Sequence, residues 1–184
     1  MSDARDRVLE HLVDHSVRRG DFTLKSGRTS TWFIDSKQTI CACETMLDVA
    51  TLVLERIPAD ATAIGGLTMG ADGVSFITAG VASTKGRPLR AFSVRKEVKD
   101  HGAGGRIAGA LHVGDHVVVT EDTVTRGTSL LEAAKVVRDY GASVVLLLAV
   151  VDRGGTVAAM AAREGLAFDA IFTAPDLGFS YEGA

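Results

Sequence analysis

Val-Val-Val-Thr-Glu-Asp-Thr-Val-Thr-Arg-Gly-Thr-Ser, residues 117–129, changes physical character three times, and what it folds into decides the rest of the chain. Val117, Val118 and Val119 are consecutive β-branched residues, the composition of a strand buried on both faces in the middle of a parallel sheet. Two carboxylates, Glu121 and Asp122, stand where such a strand is due to end. Small and hydroxylated residues around Gly127 follow, and Leu130, Leu131, Ala133, Ala134, Val136 and Val137 then recur at helical spacing. The order is therefore strand, turn, helix. Free N–H groups at the helix N-terminus, with hydroxyls from Thr125, Thr128 and Ser129, make a phosphate site.

Working outward, similar units flank this one. Short apolar runs at 61–65, 88–94, 144–151 and 168–173 read as strands, and 44–57 (stopped by Pro58), 71–82 and 157–165 carry helical spacing. Alternating β and α units predict an α/β fold, a mainly parallel sheet flanked by helices. Val8, Leu9, Leu12, Val13 and Val17 predict a first amphipathic helix closed by Gly20, capping the sheet or a subunit interface. Residues 22–35 alternate strand-like pieces about a bend at Ser26-Gly27, either an exposed hairpin or a small hood over a site. Gly65-Gly66-Leu67-Thr68-Met69-Gly70 predicts a turn whose N–H groups either hold a second phosphate or simply make a tight connection.

The 184 residues predict one domain, 1–184, with the hood formed mainly by about 20–40. With 46% hydrophobic and 23% charged residues, the composition is that of an ordinary globular protein. A net charge of -3 gives no overall attraction to nucleic acid, and no apolar run is long enough to span a membrane, so neither partner is expected. The N-terminal region lacks the apolar core of a signal peptide. Cys41 and Cys43 are too close for a comfortable disulfide and have no second pair to complete a zinc site, so a cytoplasmic setting is expected. His11 and His15 share a helical face, resembling a zinc-protease helix, but no third ligand accompanies them.

Arg95, Lys96, Lys99 and His101 fall within seven residues, immediately before Gly102, Gly104 and Gly105. The glycines predict a loop that moves, and the cations one that closes on an anion. Gly102-Ala103-Gly104 is not a dinucleotide fingerprint, because no glycine stands at 107 and no strand directly precedes it. Arg153 sits at the carboxyl end of the 144–151 strand, where open parallel sheets bind ligands. No Gly-x-x-x-x-Gly-Lys-Ser/Thr loop is present, which sets aside a P-loop nucleotide triphosphatase. Glu121 and Asp122 are poor phosphate ligands but good acceptors for neutral hydroxyls, such as those of a ribose whose 5-phosphate lies in the following loop.

Residues 117–129 resemble the phosphoribosyl pyrophosphate motif of type I phosphoribosyltransferases. The more specific likeness is to the orotate-using members. Residues 22–30 resemble their N-terminal hood, Arg95-Lys96-x-x-Lys99-x-His101-Gly102 their catalytic loop, Val151-Asp152-Arg153 their base-recognition strand end, and 65–72 the pyrophosphate turn of one branch. The resemblance runs from about residue 22 to 165. It implies transfer of ribose 5-phosphate from phosphoribosyl pyrophosphate to orotate, giving orotidine 5'-monophosphate and pyrophosphate in pyrimidine biosynthesis. By the same resemblance, Glu121 and Asp122 bind the ribose hydroxyls, while Thr123, Val124, Thr125, Arg126, Gly127, Thr128 and Ser129 hold the 5-phosphate. Arg153, Thr125 and Lys25 meet the orotate. Arg95, Lys96, Lys99, His101 and Asp122 serve catalysis, the loop cations closing over the pyrophosphate of a neighbouring subunit in a homodimer. Mg²⁺ is the implied cofactor, held mainly through substrate oxygens and water rather than by direct protein ligands.

Two positions depart from the pattern. Arg126 stands where many relatives have a small residue, and Asp72-Gly73 replaces a lysine of the better-known branch, so that a pyrophosphate contact there falls to backbone groups. A phosphoribosyltransferase for a purine or uracil is the neighbouring alternative, disfavoured by Arg153. A regulator that binds nucleic acid is the alternative from another class, disfavoured by the 95–101 cations and by the lack of a basic appended domain.

Overall fold

The computed structural model describes residues 3–23, 29–99 and 105–182, so that Lys25 and His101 lie outside the described residues, as does the Lys99 side chain. A six-stranded sheet in the order β5-β4-β3-β6-β7-β8 forms the centre. Its strands are β3 (Ala63–Leu67), β4 (Arg90–Lys99), β5 (Gly105–Gly109), β6 (His116–Val124), β7 (Ser143–Asp152) and β8 (Phe168–Thr173). All pairs are parallel except β4 with β5. Helices α4 (Gly70–Thr84), α5 (Thr128–Asp139) and α6 (Val157–Arg163) make the crossovers, after α1 (Ala4–His11), α2 (Lys37–Ile40) and α3 (Met46–Arg56).

β6 shows why three consecutive valines were needed. Val118 enters the core that contains Val8, Val53, Val74 and Leu148, while Val117 and Val119 enter the core on the other face with Val137, Leu147 and Val157. With both faces covered, Val117, Val118 and Val119 are all apolar. Chain order reverses between β3 and β6: from β3 the chain crosses through α4 to β4 on one side, and from β6 through α5 to β7 on the other. α4 packs into one core and α5 into the other, leaving a crevice at the carboxyl ends of β3 and β6 where such sheets take ligands.

The structure redraws several boundaries. The first helix stops short of Gly20. A π-turn over Leu12–Ser16 follows α1, and Val17 opens β1 (Val17–Thr23), which pairs antiparallel with β2 (Thr29–Ile34) through Val17 with Ile34 and Arg19 with Trp32. Cross-strand pairing overrides the helical spacing of a single valine. Gly65 and Gly66 are buried strand residues of β3, not turn residues. A Cβ on Gly66 would lie 2.2 Å from the Thr120 carbonyl oxygen, so glycine lets β3 and β6 approach closely. The turn itself falls at Thr68 and Met69, whose peptide bond is cis. Finally, the charged run from Arg95 to Lys99 is the end of β4, paired with a β5 that the sequence does not announce. β5 pairs mainly with Phe92, Ser93 and Val94, the buried part of β4, and within the charged run only Lys99 pairs, with Gly105. The five residues of β5 include two glycines and one large apolar side chain, Ile107, too few to show a strand pattern.

Candidate functional site

β6 does not end at its acids. Glu121 and Asp122 sit inside the strand, 7% and 8% exposed, and the ladder with β7 continues to Val124 opposite Asp152. Glu121 turns toward the first residue of α4, and a Cβ on Gly70 would meet Glu121 Oε1 at 1.6 Å. Asp122 lies beside it, its Oδ1 2.9 Å from the same Cβ position. Its Oδ2 accepts from Ser36 Oγ at 3.0 Å and forms an ion pair with Lys37 Nζ, and its Oδ1 accepts from Thr123 N–H at 2.8 Å. Thr123 Oγ donates to Ser36 Oγ at 2.8 Å, so the start of α2 is tied to the end of β6 by three contacts.

These contacts set the electrostatics. Burial, and then the adjacent Asp122 carboxylate, push the Glu121 carboxyl up to about 8. Lys37 also loses hydration, which alone would lower its ammonium. The hydrogen bond and charge of Asp122, with the charges of Glu121 and Asp35, outweigh that loss and raise it. The site thus holds one carboxyl that tends to keep its proton beside a carboxylate with a cation of its own.

The following loop has the form expected of an anion cradle. Gly127, at φ 71°, is the N-cap of α5, and the free N–H groups of Thr128 and Ser129 open that helix. The left-handed conformation favours glycine, and a Cβ would also press on Val157 Cγ1 at 2.9 Å. Arg126 is exposed, so its bulk does not crowd the loop. Asp152 Oδ1 accepts from the N–H groups of Gly154 and Gly155 at 3.0 and 2.9 Å, closing the turn after β7. Gly154 touches the loop directly: a Cβ there would lie 1.6 Å from the Thr125 carbonyl oxygen.

Arg153 N–H donates to the Val124 carbonyl at 2.8 Å, placing this residue against the loop. Its guanidinium is buried over the Trp32 ring at 4.7 Å, and its Nη2 donates to Ser30 Oγ at 2.8 Å and to the Trp32 carbonyl at 2.7 Å. The same nitrogen forms an ion pair with Glu182.

At the other side of the crevice, Asp72 accepts from Thr68 Oγ and Ser93 Oγ, both at 2.6 Å. The carboxylate that stands in place of a lysine is thereby consumed within the fold, bracing the turn after β3. The cationic stretch is not gathered here. Arg95 Nη1 donates to the Gly105 and Ile107 carbonyls at 3.4 and 3.5 Å, and Lys96 is exposed on β4. The His11 and His15 rings lie 4.2 Å apart at a tilt of 37°, with His11 Nδ1 3.0 Å from Thr39 Oγ, and among the described residues no group of three or more His, Cys, Asp or Glu is placed to hold a metal.

Sequence reasoning passes over four residues that this geometry brings in. Ser36 and Lys37 follow a strand end in the polar run Asp35-Ser36-Lys37, which is the usable signal. Ser30 and Glu182 carry none, because nothing local ties either to Arg153.

No protein-family model matches the chain. An orotate phosphoribosyltransferase of Nostoc sp. is 36% identical over 183 residues, 99% of this chain and 89% of the relative. One of Streptomyces coelicolor is 40% identical over 155 residues, covering 83% of this chain and 85% of the relative. Among solved structures, the Mycobacterium tuberculosis orotate phosphoribosyltransferase in complex with 5-phospho-α-D-ribosyl 1-diphosphate superposes with a TM-score of 0.81 at 33% identity, over 96% of this chain and 99% of that one. Extended likeness in sequence and in backbone thus converges on one assignment: the chain belongs to the orotate phosphoribosyltransferase family, enzymes of the glycosyltransferase class.

Proposed function

We propose that this chain catalyses the Mg²⁺-dependent transfer of ribose 5-phosphate from phosphoribosyl pyrophosphate to a ring nitrogen of orotate, releasing pyrophosphate and orotidine 5'-monophosphate in the cytoplasm. The observation that carries the reading is Arg153, a guanidinium buried at the end of β7 and bonded through its own N–H to the start of the phosphate loop. A planar fork held there matches a carboxylated base, whereas a neutral base gives it nothing to pair with.

The 5-phosphate is assigned to 123–129, where the N-terminus of α5 and the hydroxyls of Thr125, Thr128 and Ser129 supply donors. The ribose hydroxyls are assigned to Glu121 and Asp122. Anomeric bond cleavage builds positive charge on the sugar and negative charge on the departing pyrophosphate, so catalysis is chiefly electrostatic. Asp122, paired with Lys37, orients the ribose below the developing cation. Mg²⁺ would be held mainly through substrate oxygens and water, with the hard oxygens of Asp122 and Glu121 available to its bound water. That ion, when bound, offsets the charge of the leaving group.

Arg95, Lys96, Lys99 and His101 are assigned to the pyrophosphate, closing across a homodimer interface and excluding water. Lys25 is assigned to the base or phosphates. A dimer is supported by apolar surface on and beside α3 and α4, where Leu47, Met69 and Phe76 are 61%, 72% and 50% exposed. Strands β1 and β2, a two-stranded sheet apart from the main one, are proposed as part of the hood of about 20–40.

The test is a substrate panel of orotate, uracil and hypoxanthine with phosphoribosyl pyrophosphate and Mg²⁺, for wild type and Arg153→Ala. Pyrophosphate release with orotate alone, lost in the variant, is expected. Turnover of uracil or hypoxanthine that survives the substitution would overturn the assignment.

A further inference from the structure

The guanidinium assigned to the orotate carboxylate is already occupied, by a carboxylate of the same chain. Glu182 forms an ion pair with Arg153 Nη2 and accepts from Ser30 Oγ, while its backbone N–H donates to the Arg153 carbonyl at 3.1 Å. The chain reaches this point after the single 3₁₀ turn Pro175–Leu177, and residues 179–182 run back over the two-stranded sheet. Phe179 stacks on Trp32 with ring centroids 4.3 Å apart and planes 5° from parallel. Arg19 caps the other ring contact at 4.5 Å. The Tyr181 ring lies on Gly155, where a Cβ would come within 2.6 Å of it. A carboxylate, a flat ring and a surface covering the β7 turn are thus laid across the place proposed for a flat carboxylated base.

We infer that segment 179–182 is an internal mimic of the carboxylated substrate: Glu182 holds Arg153 when the base is absent and must leave before the base can bind. This rests on the assignment of Arg153 to the base carboxylate. Two features favour a displaceable gate over a permanent wall. The pairing is incomplete, since Glu182 meets the fork through Nη2 alone and Arg153 Nε is buried without a hydrogen-bond partner among the described residues. A free planar carboxylate can use both arms, and bidentate pairing is the stronger form. The anchorage is also thin. Residues 179–182 join no strand ladder and are held to the rest of the backbone by Phe179 N–H to Ala174 O at 3.0 Å and Glu182 N–H to Arg153 O. A buried cation left without any partner is costly, which explains why the unliganded site carries its own anion.

Glu182→Gln keeps the shape and removes the charge. Orotate KM and orotate dissociation constant are expected to fall about ten-fold, because the competing closed state loses a charge-assisted contact, with kcat not reduced. In the wild type, amide exchange at 179–182, read by mass spectrometry, should speed up when orotate is added. A rise in KM, or a loss of kcat, would make Glu182 a positioning residue for Arg153 and overturn the proposal. Unchanged KM, or exchange at 179–182 that orotate leaves alone or slows, would overturn it equally. Arg153→Ala separates the two readings. If it leaves orotate KM unchanged, the base assignment itself fails; if it raises KM while Glu182→Gln has no effect, the gate alone fails. Thermal melts of each variant confirm that the fold is intact.

Discussion

Glu121→Gln should make the folded protein more stable as pH rises, while impairing its chemistry. The carboxyl is buried beside Asp122, and its folded-state value is raised from 4.5 to about 8, through burial first and the neighbouring carboxylate second. The sign follows from proton counting. Between 4.5 and 8 the unfolded chain has released this proton and the folded chain still holds it, so wild-type stability falls across that window and levels off above it. A difference of about 3.5 units at 1.36 kcal/mol each sets a ceiling of about 5 kcal/mol. Lys37 lies close to the pair and water reaches that side chain, so about 2 kcal/mol is the value to expect. Urea unfolding of wild type and variant at pH 5, 6, 7 and 8 isolates the effect, because all other titrations cancel in the difference. The two proteins should be near equal at pH 5, and the variant ahead by about 2 kcal/mol at pH 8. A gap that shrinks with rising pH, or a variant less stable at pH 8, refutes the placement of Glu121 as a buried carboxyl strained by its neighbour.

Other perturbations follow from the same geometry. Gly70→Ala drives a methyl into Glu121 Oε1, 1.6 Å from the ideal Cβ, and should cut turnover at least about 100-fold while costing on the order of 1–3 kcal/mol in thermal stability. Gly154→Ala meets the Thr125 carbonyl backbone at the same distance, and should weaken phosphoribosyl pyrophosphate binding in calorimetry more than it weakens orotate binding. Lys37→Met leaves Asp122 with its hydroxyl and amide donors but no cation. KM for phosphoribosyl pyrophosphate should rise about ten-fold, with a stability loss under about 1 kcal/mol because the ammonium is nearly half exposed. Leu47→Glu with Phe76→Glu should convert the proposed dimer to monomers in light scattering, and catalysis should fall with it if the cationic loops are shared; a wild type that is already monomeric refutes the dimer.

Residues 117–129 are legible because each of their three signals is local: a valine run that only a doubly covered strand tolerates, hydroxyls at a helix start, and a glycine at a left-handed cap. The same local reasoning misplaces Gly65 and Gly66. In sequence they look like turn residues, and only the approach of β6, seen in the Thr120 carbonyl, shows that they are strand residues without room for a side chain. β5 is illegible for a related cause. It is a five-residue edge strand, Gly105–Gly109, with glycine at both ends and Ile107 as its one large apolar side chain, so the alternation by which a strand is recognised is too short to read. Asp72 is a third case: its departure from the lysine of related chains is a question in the sequence, and Thr68 and Ser93 answer it.

Lys37 and Glu182 expose the deeper limit. Asp122 and Arg153 are each readable as charges meant for a ligand, yet in the folded chain each has a countercharge drawn from far away, 85 residues off for Lys37. A buried charge with no partner would destabilise the unliganded fold, so a site assembled before its substrate arrives must supply temporary or permanent partners. The two cases differ in kind. Lys37 leaves Asp122 Oδ1 turned toward its own backbone and opposes no substrate charge, so it can stay in place during catalysis. Glu182 has the same charge as the group Arg153 is assigned to receive, so the two compete and base binding becomes an exchange of carboxylates. Affinity at that subsite is then the difference between two ion pairs, and a variant that weakens the inner one strengthens the outer without touching the substrate.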